Sequence, residues 1–318
     1  MTANCRQSMD TPANVVAAAD AALASGQEVV SPRDGLETGD AEMTRMEAEI
    51  EAFWKRILLA GQFASDPLPQ ADFAFPDASN TGVPAGTVLA PYDGPFRIEA
   101  NDVMIENKEI RQSIRVLGSN FVMKNCRLIY NDYFGVDLEG ATSPTIQDCT
   151  LIGPGNRGRS SAPILGSGTF LRNDISGAEN GIVLQAGKSV VKGNYIHDLE
   201  SGVGDEGHYD GISVQGAQND VLIEDNTIVG RDTSDIFIKN DFGDINNVRV
   251  NHNLLVGTPG FALYVDGRGP KGVITNVSVT NNRVKRGGYG FFSVDAAAPT
   301  FSGNVDADTG KAISVRAG

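Results

Sequence analysis

From about residue 107 onward the chain repeats one phrase: an apolar-alternating run, a polar turn centred on Asn, then two or three β-branched or leucine residues. Clear copies are Gly193-Asn194-Tyr195-Ile196, Asp225-Asn226-Thr227-Ile228, His252-Asn253-Leu254-Leu255 and Asn281-Asn282-Arg283-Val284. The residue two before the apolar one defines a column: Lys108, Cys126, Cys149, Asn173, Asn194, Asn226, Asn253, Asn282 and Asn304. Its steps run from 18 residues (Lys108 to Cys126) to 32 (Asn194 to Asn226). Steps of this size describe a solenoid with variable loops, in which each unit buries its face only against its neighbours. Asn suits the column because turns leave backbone N–H and C=O groups pointing inward, and an amide side chain supplies both donors and an acceptor. Stacked one per layer, such amides can also bond each other.

At 318 residues with 41% hydrophobic composition, the chain is long enough for one large domain plus a small attachment. A formal charge of -14, from 40 acidic and 26 basic residues, argues against a nucleic-acid groove and against adhesion to an anionic membrane. Residues 1–30 lack a basic start followed by an apolar core, and no stretch reaches membrane-spanning length, so neither a signal peptide nor a membrane span is expected in this sequence. Cys126 and Cys149 share the column in adjacent coils. Stacked buried thiols are the preferred reading, with a disulfide as the alternative.

Three segments follow. Residues 1–61 are expected to be helical: 13–25 is alanine-rich, and Met43, Met46, Ile50, Phe53, Ile57 and Ala60 form a stripe between a capping Asp40 and Gly61. That stripe fits either a short oligomeric coiled coil or a helix packed on its own solenoid. Residues 62–101 are a proline-rich connection, with Val83–Leu89 and Pro95–Ile98 expected as strands entering the first coil. Residues 102–318 form the solenoid.

Period-2 alternation assigns the inward pairs Ile114/Val116, Val136/Leu138, Ile182/Leu184, Ile212/Val214, Ile236/Ile238, Leu263/Val265, Phe292/Val294 and Ile313/Val315, with 161–165 supplying one further coil. Outward residues then fall into columns. One holds Arg115, Asp137, Val183, Ser213, Phe237, Tyr264, Ser293 and Ser314; the next holds Glu139, Gln185, Gln215, Lys239, Asp266, Asp295 and Arg316. A third, just before the strand, offers Asn180, Asp210 and Ser234.

The combination resembles the right-handed parallel β-helix proteins, an all-β solenoid architecture shared by pectate lyases, polygalacturonases, alginate lyases and epimerases, and many phage tailspikes. The resemblance covers roughly residues 86–318, and it speaks for architecture more than for activity, because this fold hosts enzymes and non-catalytic stalks alike. The run Asp205-Glu206-Gly207-His208-Tyr209-Asp210-Gly211-Ile212 looks like the acidic Asp-Gly-Ile strand opening of several sugar-active members. A Gly-His-Gly segment and a second aspartate pair of the polygalacturonase kind are missing.

Acids, amides and rings gathered in three layers are what a polysaccharide site requires. The leading expectation is therefore a lyase or glycoside hydrolase acting on an acidic or uronate-containing glycan. For β-elimination, Lys239 or His208 would be the base, Tyr264 the proton donor, and Arg231 or Arg268 the holder of the carboxylate. For hydrolysis, Asp210 would pair with Asp235 or Asp266. Ser213, Gln215, Gln185 and Phe237 would bind substrate, and the glycine-rich loop 199–209 would wall the groove. A Ca²⁺ bridge through Asp205, Glu206 and Asp210 is an option, although their spacing matches no known calcium loop. Blander roles stand beside these: His208 bonded within its loop, Lys239 salt-bridged to Asp266, and the rings of Phe237 and Tyr264 covered by a helix or a subunit. The competing expectation is a virion-associated tailspike or tail-fibre module, a homotrimer whose subunits cover an uncapped last coil, or an adhesive solenoid without an active site; either class would work outside the cell.

Overall fold

A computed structural model of the protein describes residues 74–314. The expected helices within 1–61, together with Cys5, Val315 and Arg316, lie outside the described residues.

The described chain winds as a parallel β-helix with three faces. A ten-stranded sheet (sheet 1) follows the Asn column, and two nine-stranded sheets (sheets 2 and 3) complete each coil in the order 3, 1, 2. Every pairing between named strands is parallel and links one coil to the next. The interior is a continuous stack of aliphatic side chains, including Ile114, Val136, Ile164, Ile182, Ile212, Ile236 and Leu263 from sheet 2, each no more than 1% exposed. Their burial is the main stabilising term, at about 25 cal/mol per Å² of apolar surface removed from water. The strand Ala162–Leu165 supplies the coil expected at 161–165, pairing Ile164 with Val136 on one side and Ile182 on the other.

The Asn column is a hydrogen-bonded ladder. The Asn194 backbone N–H and its Nδ2 both donate to Asn226 Oδ1 at 2.9 Å, while Asn194 Nδ2 also donates to the Phe170 carbonyl at 2.9 Å. The same pair of bonds recurs from Asn173 to Asn194, Asn226 to Asn253, Asn253 to Asn282 and Asn282 to Asn304. The residue before each rung is left-handed. It is Asn107, Asn125, Asp148, Arg172, Asp225, His252 or Asn281 at φ between 51° and 57°, or Gly193 (φ 69°) or Gly303 (φ 67°). Asn, Asp and Gly tolerate that region best, which accounts for the polar residue preceding each rung. Cys126 and Cys149 hold the first rungs as free buried thiols, with the Cys126 N–H directed at Cys149 Sγ at 3.4 Å.

Two expectations fail at the ends. Val83–Leu89 forms no strand: Pro84 has no N–H to donate, Thr87 N–H turns back to the Pro84 carbonyl at 3.1 Å, and Gly86 is left-handed at φ 85°. Instead residues 75–83 run along sheet 1, with Phe75 stacked on His252 at 5.2 Å, Gly82 N–H donating to the Arg172 carbonyl and Val83 N–H donating to Thr150 Oγ1. At the other end Ile313 does not continue sheet 2. Asp306 accepts from Asp308 N–H and Thr309 Oγ1, Gly310 takes φ 68°, and the chain doubles back so that Val305 bridges Ala312 antiparallel. Ile313 then packs half-buried against the end of the core. Val294, assigned to the interior, is 37% exposed on Gly290–Asp295, the last strand of sheet 2 among the described residues.

Candidate functional site

Sheet 2 carries the outward columns in the order read from the sequence. Val183 pairs with Ser213, Ser213 with Phe237, Phe237 with Tyr264, and Tyr264 with Ser293. Lys239 pairs with Asp266 and Asp266 with Asp295, while Gln185 Nε2 donates to Gln215 Oε1 at 2.7 Å. Asp210 pairs with Ser234, and its N–H donates to Asn180 Oδ1 at 3.2 Å.

Simple alternation breaks at the start of each of these strands. In Phe261–Asp266 the rings of Phe261 and Tyr264 touch on the outside at 5.2 Å, whereas Ala262 and Leu263 both belong to the core. The equivalent step in Asp210–Val214 turns Gly211 inward, where a Cβ would lie 2.2 Å from Ile228 Cγ2. Gly211 therefore serves the corner and makes no room for substrate. Asp235 obeys the same rule. Its Oδ1 accepts the Gly230 N–H at 2.8 Å, its Oδ2 has no partner among the described residues, and it is 0% exposed. Burial drives this carboxyl well above its ordinary range, and it lies inside the coil rather than beside the outer cluster.

Asp210 is the chemically distinctive group on the outer side. It is 5% exposed, and the Ser234 hydroxyl donates to its Oδ1 at 2.6 Å. Burial pushes its pKa up to about 7, against the opposing hydrogen bond from Ser234 and with a further push from the charge of Glu179. Glu179 was missed in the sequence; the signal was its place immediately before Asn180 in the Asp210 column. Its Oε1 accepts the His208 N–H at 3.0 Å and ties loop 199–209 to the preceding coil. Tyr264 is half-buried, and burial first, helped by Tyr289 and Asp210 and opposed by a hydrogen bond from the Phe261 backbone, leaves its phenol above the ordinary value.

The remaining candidates divide. Ser213 is buried; Phe237, Gln215 and Gln185 are half-buried on the same wall. Lys239 and Asp266 sit side by side but ion-pair elsewhere: Lys239 to Asp241 at 3.3 Å, and Asp266 to Arg268 through two bonds of 2.8 and 2.9 Å. Arg268 also reaches Asp295 at 3.4 Å, and its hydrogen bonds hold the Asp266 carboxyl below its ordinary value. Arg231 belongs to sheet 1. It contacts Asp232 and the Leu199 carbonyl and lies 4.4 Å over the buried Tyr209 ring, bracing the loop from behind. His208 is exposed, and Glu206 ends a short 3-10 turn, Gly204–Glu206. The side chain of Asp205 lies outside the described set. Among the described residues no group of three or more His, Cys, Asp or Glu is arranged to hold a metal ion.

His197 and His252 occupy sheet 1 and its turns. His197 bonds Asp174 and Asp198 at 2.8 Å each and stacks on Tyr195 at 4.2 Å. Burial opposes its charge, but the two carboxylates outweigh burial and raise its pKa. A separate concavity of about 380 Å³ lies against sheet 1 between residues 83–89 and Glu109, Arg127 and Thr150, on a different face from the columns above.

Residues 160–306 match the family described as right handed beta helix region. Neither the curated proteins nor the solved structures gave a match. The matched span contains Asp210, its neighbours and the Asn ladder from Asn173 to Asn304.

Proposed function

We propose that this right-handed parallel β-helix protein binds a glycan along the outer wall of sheet 2 and hydrolyses it, with Asp210 as the proton donor. One observation carries the reading: an outward carboxyl buried until its pKa reaches about 7, beside a hydroxyl and below a set of rings. Such a group is protonated often enough at neutral pH to deliver a proton to a leaving glycosidic oxygen, and it is acidic enough to lose it. Hydrolysis also needs a second carboxylate, to activate water or to attack the anomeric carbon. Glu179 suits that part because its charge already acts on Asp210. Asp235 faces the interior and Asp266 is held by Arg268, so neither suits it as well. Elimination from a uronate is less well supported, since Arg231 and Arg268, which would neutralise the sugar carboxylate, and Lys239, a candidate base, already face carboxylates.

The test is a panel of neutral and uronate polysaccharides, followed both by reducing ends and by the absorbance of unsaturated products. Reducing ends without absorbance, lost in Asp210→Asn and in Glu179→Gln, are expected. Chain shortening that persists unchanged in Asp210→Asn would overturn the assignment. A glycan-binding tailspike or adhesin, extracellular or virion-borne, is the second reading. It is favoured by the strand Gly290–Asp295, which has no further partner strand among the described residues, and by its exposed Val294, which a subunit of a homotrimer would cover. A solution mass of three chains, with binding but no cleavage, is its signature.

A further inference from the structure

We infer that the glycan held on this wall is uncharged and lies with its sugar faces on an aromatic floor. The inference rests on the proposal that sheet 2 is a glycan site, and it departs from the acidic or uronate-containing substrate expected from the sequence. Two independent features of the wall support it.

The first is the arrangement of rings. Phe237 meets Tyr264 at 5.4 Å, Tyr264 meets Phe261 at 5.2 Å, and Phe261 meets Tyr289 at 5.8 Å. The rings meet edge to face or tilted, at 61°, 85° and 47°, and this ridged aromatic surface spans successive coils next to Asp210 and ends in a Tyr289 ring that is 74% exposed. Stacked coils repeat about every 4.8 Å, so the ring surface is long enough to meet more than one sugar unit. The C–H face of a pyranose is apolar and complements a π surface, and the adjoining Gln185, Gln215 and Ser213 can address its hydroxyls without any charge.

The second is the charge of the floor. Three of its cations are paired with carboxylates: Arg115 with Asp137 at 3.4 Å, Lys239 with Asp241, and Arg268 with Asp266 and Asp295. Glu139 and Glu179 add negative charge on the same side, and the whole chain carries -14. Exposed ion pairs are individually weak, but they cancel the local positive field that a polyuronate would need. Arg286, beside Tyr289, bonds only the Gly287 and Tyr289 carbonyls among the described residues, but a chain of uronate carboxylates laid along the rest of the wall would face an excess of like charge.

The experiment measures binding of soluble neutral and uronate polysaccharides to the full chain carrying Asp210→Asn, by affinity electrophoresis at low and high salt, and turnover of the same panel by the native protein. Expected is binding to a neutral glycan that changes less than about twofold between the salt conditions, as fits a contact without ionic terms. Tyr289→Ala, a change at an exposed ring that leaves the core intact, should weaken binding by about 3- to 10-fold, and Phe237→Ala by more. Salt-sensitive binding of a polyuronate, with neutral glycans ignored, would overturn the inference while leaving Asp210-dependent cleavage standing. Neutral binding without turnover by the native protein would sustain the inference and remove the hydrolase. Absence of binding throughout the panel would remove both.

Discussion

Replacing Asp210 with Asn should separate what this residue costs the fold from what it does for chemistry. In the unfolded chain the carboxyl titrates near 3.8, and in the folded chain near 7. Between those values the folded state keeps a proton that the unfolded state has released. Because the folded pKa is the raised one, the native protein is at its most stable with respect to this group below pH 3.8, loses stability as pH rises, and levels off above about 7. At about 1.4 kcal/mol per unit, the loss amounts to roughly 4 kcal/mol. Asn is neutral at every pH, has nearly the same shape, and its Oδ1 can still accept from Ser234. Urea denaturation followed by circular dichroism, run from pH 3.5 to 8.5, should therefore show the variant and native proteins close together at the acid end. The variant should be more stable by about 4 kcal/mol at the alkaline end, with hydrolysis lost. A difference in unfolding free energy that stays flat across that range would refute the account of Asp210 as a buried acid held protonated, whatever happened to activity.

The ladder predicts that Asn226→Ala leaves the Asn194 N–H and the Val191 carbonyl without partners, so unfolding free energy should fall by about 3–5 kcal/mol; a loss below about 1 kcal/mol by urea titration would mean the rungs are replaceable. His197→Gln should destabilise more at pH 5 than at pH 8.5, because a raised histidine pKa contributes stability that is complete below the unfolded value near 6.5 and disappears as pH climbs through the folded one. Equal losses at the two pH values would show that the ring acts only through packing. Cys126 and Cys149 are buried and free, so in a Cys5→Ser background a thiol reagent should find nothing until denaturant is added and both thiols afterwards; a missing signal after denaturation without reductant would indicate a disulfide.

Much of the wall was legible because two rules act together in a solenoid. Once the Asn column fixes where each coil begins, strand alternation assigns neighbours, and Val183, Ser213, Phe237, Tyr264 and Ser293 fall into register as written. The misreadings sit where one of those rules lapses. At the corner entering sheet 2 two consecutive residues face inward, which no period-2 pattern contains, and so Asp235 was grouped with the outer residues. Lys239 and Asp266 are neighbours as expected, but each side chain has a closer opposite charge two positions along its own chain, Asp241 and Arg268, and short loops favour the local pair. Glu179 stayed hidden because its role depends on a loop folding back so that His208 N–H reaches it, a contact 29 residues distant in sequence. The C-terminal turn had its signal in Asp306, Asp308, Thr309 and Gly310, but the apolar Ile313 imitated one more strand.

The division of labour among the faces explains how such a chain can keep a costly acid near its surface. Stability comes from the aliphatic interior and from an amide ladder that lies between sheets 3 and 1, and neither depends on the outer wall of sheet 2. The wall is built from parallel strands, so Asp210 is fixed by its pairing with Ser234, by the Gly181 N–H donating to its carbonyl and by Asn180 Oδ1 accepting its N–H, rather than by a flexible loop. Desolvation of about 4 kcal/mol is tolerable in a scaffold whose total is a sum over many similar coils. A carboxyl serving only to hold structure would gain from being paired with a cation, yet the Asp210 carboxyl has a hydroxyl beside it and a carboxylate, Glu179, acting on it from the preceding coil. Burial, with a smaller push from Glu179, raises its pKa against the hydrogen bond from Ser234, and a raised carboxyl beside half-buried and exposed rings is what the proposed proton donor requires.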